Sequence, residues 1–183
     1  VGRDAPGTAQ RYAIFLRGVN VGGVTLRMAD LRDLLAGLPV SDVATVLASG
    51  NATCASALGG EQLRDRVEEA LRARFGYPAR VIVVEHAELA DIAASVPRRE
   101  DADSHTYVTL FRGPEDQAAL VDEARGLGEE PVVLTGGTAI AWFPPKGRST
   151  DVPLAKLLAR ARHAANSTTR NLNTVDKVLR LLA

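Results

Sequence analysis

The chain has 183 residues, 46% hydrophobic and 24% charged, enough to bury one substantial core or two smaller ones. Lys plus Arg and Asp plus Glu each number 22, so the net charge is zero and the global field that drives non-specific nucleic-acid binding is lacking. No apolar run approaches the roughly 20 residues of a membrane helix, the first ten residues lack a signal peptide's apolar stretch, and a lone Cys54 suits a reducing compartment, so the expectation is cytoplasmic with no membrane partner.

Residues 1–10, rich in Gly, Ala, Asp and Pro, have no period and read as a disordered tail. Tyr12–Leu16 is a compact apolar run suited to a buried strand, followed by the glycine-rich stretch Gly18–Gly23. Met28, Leu31, Leu34, Leu35 and Leu38 keep helical spacing, and Asp42–Ala48 resumes a β pattern. Ser49-Gly50-Asn51 then separates that strand from Ala52–Ala55 as a short antiparallel hairpin. Leu63, Val67, Ala70 and Leu71 define the next helix, which Gly76 and Pro78 stop, and Arg80–Val84 is the fourth strand. The order β-α-β-β-α-β is that of the ferredoxin-like split βαβ unit.

A helix near Ala87–Val96 closes this first half, residues 11–96, and the charged, aperiodic segment 97–104 reads as a linker. The second half, residues 105–183, starts again with a strand at Thr106–Phe111, a helix at Glu115–Arg125, and a hairpin of Val132–Leu134 and Ala139–Phe143 about Gly136-Gly137. A helix over Val152–Arg162 follows, and a last helix from about Thr169 to Leu182 stands in place of the expected fourth strand. The predicted fold is therefore α+β, with two ferredoxin-like halves, the second ending in a helix. Phe15-Leu16-Arg17-Gly18 and Leu110-Phe111-Arg112-Gly113 close the first strand of each half, a short echo compatible with duplication and with common strand-end chemistry alike.

Four segments concentrate polar chemistry. Arg17-Gly18-Val19-Asn20-Val21-Gly22-Gly23 lies between a strand and a helix, where glycines let backbone N–H groups converge on an anion. It matches neither GxGxxG nor GxxxxGK(S/T), so no nucleotide fingerprint is present, no cofactor is indicated, and a wide turn needing positive φ is the plainer reading. In a split βαβ sheet the first two strands run parallel with the third between them, which sets Arg17 and Asn20 beside Ser49, Gly50 and Asn51, roughly 10 Å apart. Thr168-Thr169-Arg170-Asn171-Leu172-Asn173-Thr174 heads the last helix with more Asn and Thr than one cap requires, Ser167 or Thr168 being the expected cap. Lys146-Gly147-Arg148-Ser149-Thr150 leads into a helix as a solvated loop, or as an anion site at Arg148.

His86, His105 and His163 fall in different elements and have no metal-ligand spacing, so each reads as a surface or capping histidine. Cys54, in a short strand among small residues, reads as an inert buried thiol, and no GxSxG occurs.

With Leu16-Arg17-Gly18-Val19-Asn20-Val21-Gly22-Gly23, Ser49-Gly50-Asn51 and Thr168–Thr174 in this order, the chain resembles the bacterial domain-of-unknown-function 1697 family, whose marks are LRGxNVGG, SGN and TTRNxNT. The resemblance runs from about Arg11 to Leu182 and implies a compact two-part α+β protein with no established activity. It carries over Arg17, Asn20, Gly22, Gly23, Ser49, Gly50, Asn51, Thr169, Arg170, Asn171, Asn173 and Thr174. The chain departs from the family pattern at Leu172, where members often have Trp, and at Val46-Leu47-Ala48, where they have Tyr-x-Gln.

Three functions compete: binding of a small anionic or polar ligand at the edge formed by the Arg17–Gly23 loop and the Ser49–Asn51 turn, joined by Thr168–Thr174 if that segment docks there, with Arg17 or Arg170 as charge partner; a protein–protein or homodimer module; and a nucleic-acid module. The last is disfavoured, because the strands Ala52–Ala55 and Val81–Val84 offer no aromatic platform. No residue has the neighbours of an activated nucleophile or general base, so the residues point to binding and leave catalysis open.

Overall fold

A computed structural model describes residues 8–17, 25–46, 49–76, 78–99 and 102–183. Its contacts divide these into two compact units, one holding the residues up to Leu89 together with Lys177–Ala183, the other Ala90–Asp176.

The first unit contains β1 (Gln10–Arg17), α1 (Met28–Ala36), β2 (Ser41–Val46), β3 (Asn51–Ser56), α2 (Gly60–Phe75), β4 (Arg80–Glu85) and the start of α3 (His86–Ser95). Its sheet has the order β2-β3-β1-β4, all neighbours antiparallel, so β1 and β2 run parallel on either side of β3 as a split βαβ unit requires. As a central strand β1 is buried over Tyr12–Leu16, which explains why it reads as an unbroken apolar run. Tyr12, Ile14 and Leu16 share a core with Leu31 and Leu35 of α1 and Leu63, Val67 and Leu71 of α2. Each such side chain contributes about 1.5–3 kcal/mol by leaving water. Glu68 of α2, itself buried, accepts the Val81 N–H at 3.2 Å and so ties the helix to β4. The helix ends where Gly76 turns left-handed at φ 69° and donates its N–H to the Arg72 carbonyl.

The second unit repeats this plan with β5 (Tyr107–Phe111), α4 (Pro114–Gly126), β6 (Val132–Val133), β7 (Ala139–Trp142), α5 (Pro153–Leu158), α6 (Ala161–Ala164), β8 (Ser167–Asn171) and the start of α7 (Leu172–Leu182). Its order, β6-β7-β5-β8, is strand for strand that of the first sheet. Phe111 of β5 packs with Leu120, Val121, Leu154 and Leu157.

The α+β class and the two split βαβ halves are as the sequence implies, and two elements of the second half are corrected. The second half does have its fourth strand, because Ser167–Asn171 pairs with β5 in antiparallel register and the helix begins only at Leu172. β-Branched Thr168 and Thr169 suit a pleated strand, and the Leu172–Leu182 period had been extended backwards over them. The expected helix over Val152–Arg162 is likewise two short helices, α5 and α6.

Register makes the internal repeat concrete. Tyr12 lies between Cys54 and Glu85, and Tyr107 between Trp142 and Asn171. Leu16 donates to the Gly50 carbonyl at 2.7 Å, and Phe111 donates to the Thr138 carbonyl at 2.8 Å. Counting along each strand sets Arg17 level with Arg112, so the echo seen in sequence falls at equivalent positions of equivalent strands.

Candidate functional site

In the first unit the carboxyl end of β1, the amino end of β3 and the amino end of β4 lie at one end of the sheet. Arg17 is directly opposite Arg80 on β4. Continuing the β1–β3 register beyond the Phe15–Asn51 pair brings Ser49 opposite Arg17 on its other side. Arg17 is partly buried, and burial pulls its pKa below the usual guanidinium value, whereas Arg80 is exposed. Two guanidinium-bearing residues directly across a strand pair repel, an arrangement that an anion between them relieves.

Hydrogen bonds from Asn51 brace the turn beside them. Gly50 takes φ 77°, a conformation that costs a side chain about 1–2 kcal/mol. Asn51 is fully buried, and its amide Nδ2 donates to the Val46 carbonyl and to Ser49 Oγ, both at 2.9 Å. Asn51 therefore braces the described part of the turn, where Ser49 is exposed. Asn20, Gly22 and Gly23 lie outside the described residues. Arg80 was missed in the sequence, although split βαβ topology alone sets the start of the fourth strand against the end of the first.

The polar segment of the second unit forms β8 and the first turn of α7, and most of its groups have structural partners. Thr169 Oγ1 lies 2.8 Å from Thr109 Oγ1, which also accepts from Trp142 Nε1 at 3.0 Å, joining three strands through one buried hydroxyl. Arg170 donates to Thr168 Oγ1 at 2.7 Å and to the Thr169 carbonyl at 2.9 Å. Burial brings its pKa down to about 10, so it is still a cation at neutral pH. Asn171 Oδ1 accepts the Asn173 N–H at 2.9 Å, making Asn171 the residue that caps α7, in place of Ser167 or Thr168. Asn173 is exposed and Thr174 half-buried at the head of α7, and Arg148 is exposed in the turn before α5, where its N–H meets the Pro145 carbonyl.

Two further expectations are resolved by burial. Cys54 is buried and its thiol is pushed up to about 11, in line with an inert role. His163, expected at the surface or in a capping role, is buried; its Nε2 lies 3.1 Å from Glu123 Oε1, and Arg160 and Arg162 approach the other oxygen of that carboxylate. Helical spacing of Glu123 and of Arg160, Arg162 and His163 carries no signal that they meet, since they are some forty residues apart in sequence. Among the described residues no group of His, Cys, Asp and Glu is arranged to hold a metal, and no helix is long and apolar enough to cross a membrane.

The family model described as "Protein of unknown function (DUF1697)" matches residues 9–139. Among solved structures the chain is similar to the conserved bacterial protein SP0830 from Streptococcus pneumoniae, at 22% identity and a TM-score of 0.80, over 96% of this chain and 99% of that one. At this identity the likeness speaks to the fold. No curated protein matches the chain.

Proposed function

The chain belongs to the DUF1697 family of proteins of unknown function, and from that premise we propose that it binds a small anionic ligand at the end of the first sheet, with Arg17 and Arg80 as cationic partners and Ser49 as a hydroxyl donor. The observation that carries this reading is the direct cross-strand pairing of Arg17 with Arg80. A folded chain bears the cost of two opposed cations, and a phosphate or carboxylate offsets it through charge-assisted hydrogen bonds. The bonds by which Asn51 braces the turn support the same reading, because ordering held by the fold lowers the entropy lost on binding. Binding is the extent of the proposal.

Thermal-shift titration with inorganic phosphate, sugar phosphates and small carboxylates tests it. A ligand at 100 times its dissociation constant adds about 2.7 kcal/mol to the folded state. Arg17→Ala and Arg80→Ala are each expected to remove about half or more of that shift, since a lost charged hydrogen bond weakens binding by about 1.5–3 kcal/mol. A shift that survives in both variants, or no shift with any anion in a cooperatively melting protein, overturns the reading.

A further inference from the structure

The second unit carries two adjoining recesses that share Arg99. The larger, ≈ 500 Å³, is lined by Arg98, Arg99, Thr106 and Asp176, with apolar residues from α3 and α7 behind them. The smaller, ≈ 180 Å³, is walled by Trp142, Phe143 and Pro144, with Glu129 and Glu130 among its lining. The Arg99 guanidinium carbon stands 4.0 Å above the Phe143 ring, so the shared wall is an arginine stacked on an aromatic face. The indole of Trp142 is held in place by its bond to Thr109 and by edge contact with Tyr107 at 5.1 Å between centroids.

The larger recess lies within the size range of small-molecule sites, about 300–1,000 Å³. Among the described lining residues, two guanidinium groups stand against one carboxylate, Asp176, which favours an anion there, and arginine is the side chain whose fork matches phosphate geometry. The smaller recess has the opposite chemistry. Its aromatic and proline walls suit a flat apolar ring, while the Glu129 and Glu130 carboxyl oxygens act as acceptors and favour an amino-bearing ring over one whose single N–H lies between two carbonyls. We infer that this double recess binds a nucleoside monophosphate with an amino-bearing base, its phosphate on Arg98 and Arg99, its base against Trp142 and Phe143 within reach of Glu129 and Glu130. Asp176 and Thr106 then face the sugar hydroxyls. This site uses none of the residues proposed to bind an anion in the first unit.

Trp142 is the chain's one tryptophan, so its emission reports on the recess directly. The full chain is titrated with guanosine, adenosine and uridine monophosphates, with inorganic phosphate and with the free nucleosides. Saturable change in Trp142 emission with the amino-bearing monophosphates is expected, with binding at least about tenfold weaker for Arg98→Ala, the loss of one charged hydrogen bond. Arg99→Lys, which keeps the charge and removes the planar stacking fork, is expected to weaken binding too. Arg17→Ala and Arg80→Ala are expected to leave the Trp142 titration unchanged, which separates this site from the first. No emission change with any monophosphate, or a change equal in Arg98→Ala and the parent, overturns the inference; equal binding of the uridine compound overturns the role given to Glu129 and Glu130.

Discussion

A single hydroxyl or amide does more in this chain than its residue type suggests. Asn51 stands in a motif that reads as ligand-binding, yet its buried amide serves the hairpin, and Thr109 replaces the aliphatic Ile14 of the first unit because it has the Trp142 ring and Thr169 to serve. Cys54 shows the same rule with an ionisable group. Burial raises its thiol from 9.0 to about 11, so the folded state holds its proton more tightly than the unfolded one. That contribution is complete below pH 9 and is lost as pH rises from 9 to 11, at about 1.4 kcal/mol per pKa unit. Comparing urea unfolding at pH 8 and pH 11 in the parent and in Cys54→Ala checks this. The parent is expected to lose about 2–3 kcal/mol more than the variant, and equal losses would remove the thiol from the account. The burial of Cys54 was legible from its small neighbours, but the hydrogen bonding of Asn51 was not, because Ser-Gly-Asn has the same composition whether its amide faces a ligand or its own backbone.

At the scale of the element, the junction of β8 and α7 shows where local pattern misleads. Leu172, Val175, Leu179 and Leu182 keep a helical period that nothing in the preceding Thr-Thr-Arg-Asn interrupts, so the sequence extends the helix too far. What sets the boundary is long-range: β5 draws Ser167–Asn171 into its ladder, and Leu172 donates its N–H to the Thr106 carbonyl at 2.9 Å. Asn171 then turns strand into helix by accepting the Asn173 N–H. Asn171→Ala is expected to lower stability by about 1 kcal/mol, within the range for a lost N-cap, whereas Asn171→Asp keeps an acceptor beside the positive helix end and is expected to match the parent. Thermal unfolding of both variants distinguishes capping from a mere surface role, since in the latter both substitutions would be neutral. The strands and helices of the first unit were read more closely, because there the apolar runs end in Gly and Pro signals such as Gly76 and Pro78 that act locally.

Across the whole molecule, the two units have the same strand order and register but are not simple consecutive pieces of chain. The first unit claims the last seven residues, Lys177–Ala183, and Arg11 of β1 donates to the Ala183 carbonyl at 3.3 Å. No periodicity in the first 96 residues announces this debt to the far end of the sequence, which is why a division into two successive halves was the natural reading. Val178 and Leu182 of that segment are buried, at 0% and 1% exposure. Burial of two such side chains is worth about 3–6 kcal/mol, a large part of the roughly 5–15 kcal/mol that holds a domain folded. Truncation after Asp176 is therefore expected to cost several kcal/mol in urea unfolding, and a fragment of residues 8–96 is expected not to unfold cooperatively. Adding residues 172–183 as a separate peptide should restore part of the fragment's near-ultraviolet signal if the missing contacts are those of α7. A fragment that unfolds cooperatively without the peptide would show that the first sheet and its two helices suffice, and the repeat would then be one of independent domains joined in sequence.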